Sequence, residues 1–118
     1  MLERSPDAEP WALILTKAAA RTTQTQAGHV TLVRFRLKSD CIEQMLQAIA
    51  GDLEHMQGNI RFDLNCSPSD QLDCMICARW ASRADWEAHC AKPEFKAFAS
   101  RTASFLEGPM QRSLWRPA

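Results

Sequence analysis

From Val30 onward the apolar residues of this chain keep changing period, and the order of those changes restricts its fold more than any other feature. Val30 to Leu37 is rich in β-branched and apolar residues. Val33, Phe35 and Leu37 fall on one side and Leu32, Arg34 and Arg36 on the other, which predicts a strand. Ile42, Met45, Leu46, Ile49, Leu53 and Met56 then recur at helical spacing. Asp40 with Glu43 predicts a capping box at the start of that helix, and Gly58 a C-cap at its end. Alternation returns from Asn59 to Cys66, with Ile60, Phe62, Leu64 and Cys66 opposed to Arg61, Asp63 and Asn65. Ser67-Pro68-Ser69-Asp70 reads as a turn, and Leu72 to Trp80 as the return strand of a hairpin. Ser82 with Asp85 predicts a second capping box, opening a helix that carries Trp86, His89 and Cys90. Pro93 interrupts that helix and suits the first turn of the next, where its missing donor costs little. Phe95, Phe98, Ala99, Thr102, Phe105 and Leu106 make the following helix amphipathic; Gly108-Pro109 ends it, and Met110 to Arg116 reads as a final strand.

The resulting order, β-α-β-β-α-β over residues 29–118, predicts an α+β domain of ferredoxin-like topology: a four-stranded antiparallel sheet with helices on one face. Val33, Phe35, Ile60, Phe62, Leu64, Ile76 and Trp80 supply the face that packs on the helices. The opposite face mixes Leu32, Met75 and Cys77 with Arg34, Arg36, Arg61, Asp63 and Arg79. That mixture is too apolar to be wholly solvated and too charged for a dry core. A second copy packed sheet to sheet satisfies both requirements, so a homodimer through these faces is expected.

Residues 1–28 differ in character and read as an N-terminal extension. Pro10 predicts the start of a short helix running to Arg21, with Trp11, Ile14, Leu15 and Ala18 on one side; Thr22 to Gly28 reads as a linker. Across 118 residues the Lys+Arg and Asp+Glu counts balance at 14 each, leaving no basic field for a phosphate backbone, so no nucleic-acid partner is expected. No apolar run approaches the ~20 residues needed to span a membrane, and Trp11 to Leu15 is too short for a secretory core; a cytoplasmic protein is expected. The five cysteines, Cys41, Cys66, Cys74, Cys77 and Cys90, are an odd number scattered through apolar patterns and read as reduced, buried thiols. Cys74 and Cys77 form a CxxC inside a strand, where their spacing sends the side chains to opposite faces. No second ligand pair accompanies them, so no metal site is expected.

The segment from Arg79 to Phe98, RWASRADWEAHCAKPEFKAF, concentrates aromatic residues around one histidine at a bend. With VTLVRFRLKSD, GNIRFDL and the RW-S and EAHCAKPEFKAF runs in that order, residues His29 to Pro117 resemble the antibiotic biosynthesis monooxygenase (ABM) domain family of dimeric α+β barrels. The resemblance is nearest to its small quinol-monooxygenase-like members. It implies a substrate cleft between sheet and helices, with Trp80 and His89 at positions where the family recurrently carries Trp and His. Three positions depart from the family pattern: Ala78 where many relatives have Glu, Phe62 where Tyr is frequent, and Glu94 where a second His often follows the proline. The heme-degrading branch has an iron-binding His at the position of Ala99 and an Asn near Val33, so heme is not expected here.

Members of this kind are thought to oxidise polycyclic phenols or quinols with O₂ and no cofactor, because a deprotonated electron-rich substrate can itself reduce oxygen. Such chemistry needs a dry aromatic pocket and a base. Trp80, Phe62, Phe95 and Phe98 are the expected substrate-binding walls, and His89 the expected base. Set against this, Trp80 at a strand end also suits a purely core role, and His89 can serve only to fix the helix bend. His29 and His55 stand at element ends and are expected to be solvated. With the Glu and Tyr absent, a dimeric small-molecule binding module without turnover is the alternative. Apolar walls disfavour isomerisation of a sugar-like ligand.

Overall fold

A computed structural model describes residues 28–116 in full and residues 12–18 as backbone. The elements run β1 (Ala12–Ala18), β2 (His29–Arg36), α1 (Ile42–Leu53), β3 (Asn59–Ser67), β4 (Asp70–Trp80), α2 (Arg83–Ala91), α3 (Pro93–Ala103) and β5 (Gln111–Trp115). One antiparallel sheet contains all five strands in the order β1-β3-β4-β2-β5. Strands β2 to β5 with their helices form the ferredoxin-like α+β arrangement expected from the sequence, and β1 is added at the β3 edge.

That fifth strand corrects the helix expected from Pro10 to Arg21. Ala12 to Ala18 lies antiparallel along β3, pairing Ala12 with Cys66 and Ala18 with Arg61. The open edge of β3 offers a row of backbone donors and acceptors, and pairing with it outweighs a weak helical periodicity. The linker expected over Thr22 to Gly28 lies outside the described residues except at Gly28, whose N–H donates to the Trp80 carbonyl at 2.9 Å.

Local signals at the helix ends hold unevenly. Ser82 caps α2 as expected, accepting from the Asp85 N–H at 3.1 Å while its hydroxyl donates to the Asp85 carboxylate at 3.0 Å. Lys92 stands before Pro93 in extended conformation (ψ 142°), because the proline ring disfavours a helical residue ahead of it. The chain therefore bends between α2 and α3. At α1 the N-cap is Cys41, without a side-chain cap, so the Asp40–Glu43 box does not form; Asp40 instead accepts from the Cys41 thiol. Helix α1 stops at Leu53, earlier than a Gly58 C-cap implies. Gly58 has a different task. Its φ is +81°, and a Cβ there would meet the Asp85 side chain at 2.5 Å, so only glycine lets the α1–β3 turn touch the start of α2.

The core lies between the sheet and the helices, built on Phe35, Leu37, Met45, Ile49, Phe62, Leu64, Cys74 and Trp80, with Val33 and Ile76 packed against it. The outer sheet face keeps its mixed character: Leu32, Met75 and Cys77 are half-buried, while Arg34 grips Asp73 with two hydrogen bonds and Arg61 holds Asp63 at 2.8 Å. Cys74 faces the core and Cys77 the outer side, as the strand spacing requires. Of the cysteines only Cys66 and Cys74 are fully buried; Cys41, Cys77 and Cys90 are half-buried, and all are free thiols.

His55 is exposed, but His29 is not solvated as its terminal position suggests. It pairs with Trp80 across the β2–β4 ladder, is 3% exposed, and leans on the Trp86 ring at 5.1 Å. Burial pushes its pKa below the ordinary histidine value, and the Arg83 cation adds to that against the opposing Glu87. The unfolded chain therefore binds a proton near pH 6.5 that the folded chain refuses, so stability present above that pH falls as pH drops through it. The urea midpoint should decline from pH 7 to pH 5.5, and His29→Gln should flatten the decline; an unchanged slope in that variant would remove His29 as the cause.

Candidate functional site

A cavity opens between the helix-facing side of the sheet and helices α1, α2 and α3. Strand β4 brings Ile76, Ala78 and Trp80 to its floor, β2 brings Thr31 and Val33, and β3 brings Phe62. The α2–α3 bend folds Trp86, His89, Cys90, Phe95 and Phe98 over it, while Ile49 and Asp52 of α1 close one side. All five residues singled out from sequence (Trp80, Phe62, Phe95, Phe98 and His89) thus line one space. His89 lies between Trp80, tilted at 5.4 Å, and Phe95, edge-on at 4.9 Å, and Phe98 follows Phe95 at 6.0 Å. The cavity holds about 90 Å³. A water needs roughly 10–15 Å³ on this measure and a benzene-sized ligand about 150 Å³, so the space has room for a few waters and admits a ring only as its walls or mouth give way.

The polar content of this wall is small and specific. His89 Nε2 lies 3.1 Å from Asp52 Oδ2, with both side chains almost fully buried. With Asp52 as the acceptor, Nε2 is the donor of this contact, an assignment that in a neutral ring leaves the lone pair on Nδ1. That Nδ1 has no hydrogen-bond partner among the described residues, nor do Asp52 Oδ1 and Trp80 Nε1. Orphaned buried polar atoms are rare because each forfeits its hydration. Three of them on the residues of one apolar cavity form a ready-made set of acceptors and a donor for a polar ligand group.

Asp52 is the functional candidate that the sequence reading missed. Its signal was available: it stands three residues after Ile49 on the apolar stripe of α1, where a lone carboxylate needs a buried partner. Ala78 and Phe62, two of the positions expected to depart from the resembled family, both line the cavity and bring no polar side-chain group to it. Glu94 and Ala99 are exposed and take no part in the wall. Among the described residues no three His, Cys, Asp or Glu side chains converge as a metal-binding group. Among the described residues no helix is long and apolar enough to cross a membrane.

A family model described as antibiotic biosynthesis monooxygenase matches residues 28–101. Among solved structures, a candidate antibiotic biosynthesis monooxygenase from Nitrosomonas europaea is similar at a TM-score of 0.70 and 23% identity, over 78% of this chain and 92% of that one. A conserved protein from Methanosarcina mazei Go1 gives a TM-score of 0.73 at 11% identity, over 81% of this chain and 98% of its own. A Shewanella oneidensis protein gives 0.65 at 22% identity, over 79% and 93% respectively. At such identities these likenesses speak for the fold alone. No curated protein sequence matches the chain.

Proposed function

The chain belongs to the antibiotic biosynthesis monooxygenase family, and on that premise we propose that it oxidises a single-ring phenol or hydroquinone with O₂ and no bound cofactor, His89 serving as the base. The observation that supports this reading is the buried Asp52–His89 pair on an aromatic cavity wall, with Nδ1 left unpartnered. Asp52 fixes the tautomer and stabilises the imidazolium that forms when Nδ1 takes the phenolic proton. The apolar walls keep water from the phenolate, which is electron-rich enough to reduce oxygen. The overall change balances with the substrate as reductant: hydroquinone and O₂ give hydroxyquinone and water, one oxygen atom entering the ring.

Oxygen uptake with a panel of monocyclic hydroquinones tests the reading. Turnover should fall by about 10²–10⁴-fold in His89→Ala, the usual worth of a positioned base. No turnover across the panel removes catalysis. It then favours the second reading, a ligand-binding module without chemistry, for which the replacement of Glu by Ala78 and Tyr by Phe62 speaks. Under that reading aromatic ligands raise the melting temperature and are recovered unchanged.

The outer sheet face supports a homodimer. Half-buried Leu32, Met75 and Cys77 lie between arginines already neutralised within the chain by Asp73 and Asp63, so a second sheet could cover this face without burying those charges unpaired. The protein should sediment at about twice 13.3 kDa; a clean monomer at micromolar concentration contradicts this assembly.

A further inference from the structure

Building on the aromatic-ligand reading above, we propose that the ligand carries a carboxylate and that Arg112 at the cavity mouth binds it. Arg112 stands on β5 opposite Val33 of β2, and both residues line the cavity. Cross-strand partners share a face, which puts Arg112 on the helix side of the edge strand, exposed and also bordering the outer-face groove of Leu32, Arg34 and Met75. It is the sole Lys or Arg among the described lining residues. Its charge reaches Cys90, another wall residue, whose thiol it draws down against the rise that burial imposes.

Arg34, Arg36, Arg61 and Arg83 each hold a carboxylate of this chain. Arg112, like Arg79, Arg101 and Arg116, forms no such ion pair among the described residues, and of these four it alone lines the cavity. The cavity therefore has two poles: the buried Asp52–His89 pair inside and a guanidinium with open donors at the rim. A ring with a hydroxyl at one end and a carboxylate at the other meets both poles. The Asp52 charge repels the reversed orientation, so electrostatics alone would orient the ring. The planar guanidinium fork also matches a carboxylate in two-point contact, which an ammonium cannot reproduce.

Calorimetric titration of the full chain under anaerobic conditions, with 4-hydroxybenzoate and its methyl ester, tests the assignment. Wild type should bind the acid about five- to tenfold more tightly than the ester, the scale of a charge-assisted contact at a solvated rim, and salt should narrow the gap. Arg112→Gln should bring the acid-to-ester ratio near one, and Arg112→Lys should recover part of it. Equal affinities in wild type, or a gap that survives Arg112→Gln, overturns the carboxylate assignment while ester binding leaves the aromatic cavity standing. Binding of neither compound overturns both.

Discussion

Truncating His89 to alanine should cost about 3–5 kcal/mol of unfolding free energy, because it strands the Asp52 carboxylate in an apolar wall. Both side chains are almost fully buried, and their mutual contact at 3.1 Å is the one hydrogen bond either makes through its side chain among the described residues. Asp52→Ala should cost less, since a neutral imidazole left alone is an unpaired polar group and not an unpaired charge. Replacing the pair together, as in Asp52→Leu with His89→Phe, should recover much of the loss, because well-packed apolar residues commonly match a buried ionic pair in stability. Urea unfolding of the three variants decides the matter. A double variant no more stable than His89→Ala would show that the two side chains are not coupled. Stability regained without activity would mark the dyad as retained for what it does to a ligand.

Trp80 separates packing from recognition in a similar way. It is 2% exposed and floors both core and cavity, so Trp80→Ala should lose about 3–5 kcal/mol through lost burial and the void left behind. Trp80→Phe keeps most of the ring and removes an indole N–H that has no partner among the described residues, so its stability cost should be distinctly smaller. If that N–H serves the ligand, the same variant should weaken hydroquinone binding by about two- to tenfold, the net worth of one hydrogen bond. Unchanged affinity in Trp80→Phe would make Trp80 a wall and nothing more.

The strands and helices of residues 29–116 were legible because each buries one face, and burying one face imposes a period. Ser82 and Pro93 were legible because capping and proline geometry are settled within a few residues. The Asp40–Glu43 box and the Gly58 C-cap failed locally; the other failures were decided at long range. The strand Ala12–Ala18 takes its form from an edge some fifty residues away, and His29 is buried by Trp86, which no local pattern connects to it. The aromatic part of the cavity could be read because Trp80, His89, Phe95 and Phe98 fall in one short segment. Asp52 could not be linked to His89 in the same manner, since 37 residues and two strands separate them.

Strand β1 leaves the ribosome well before β3, so the first strand of this sheet is made without a partner and must wait for one. Once docked it is the outermost strand, held from one side, and can detach without disturbing the β3–β4–β2–β5 ladder. The edge that receives it pairs through backbone groups, so a strand of matching register from a second copy would meet the same donors and acceptors. Exchange of β1 between copies would then depend on protein concentration and on the length of chain joining β1 to β2.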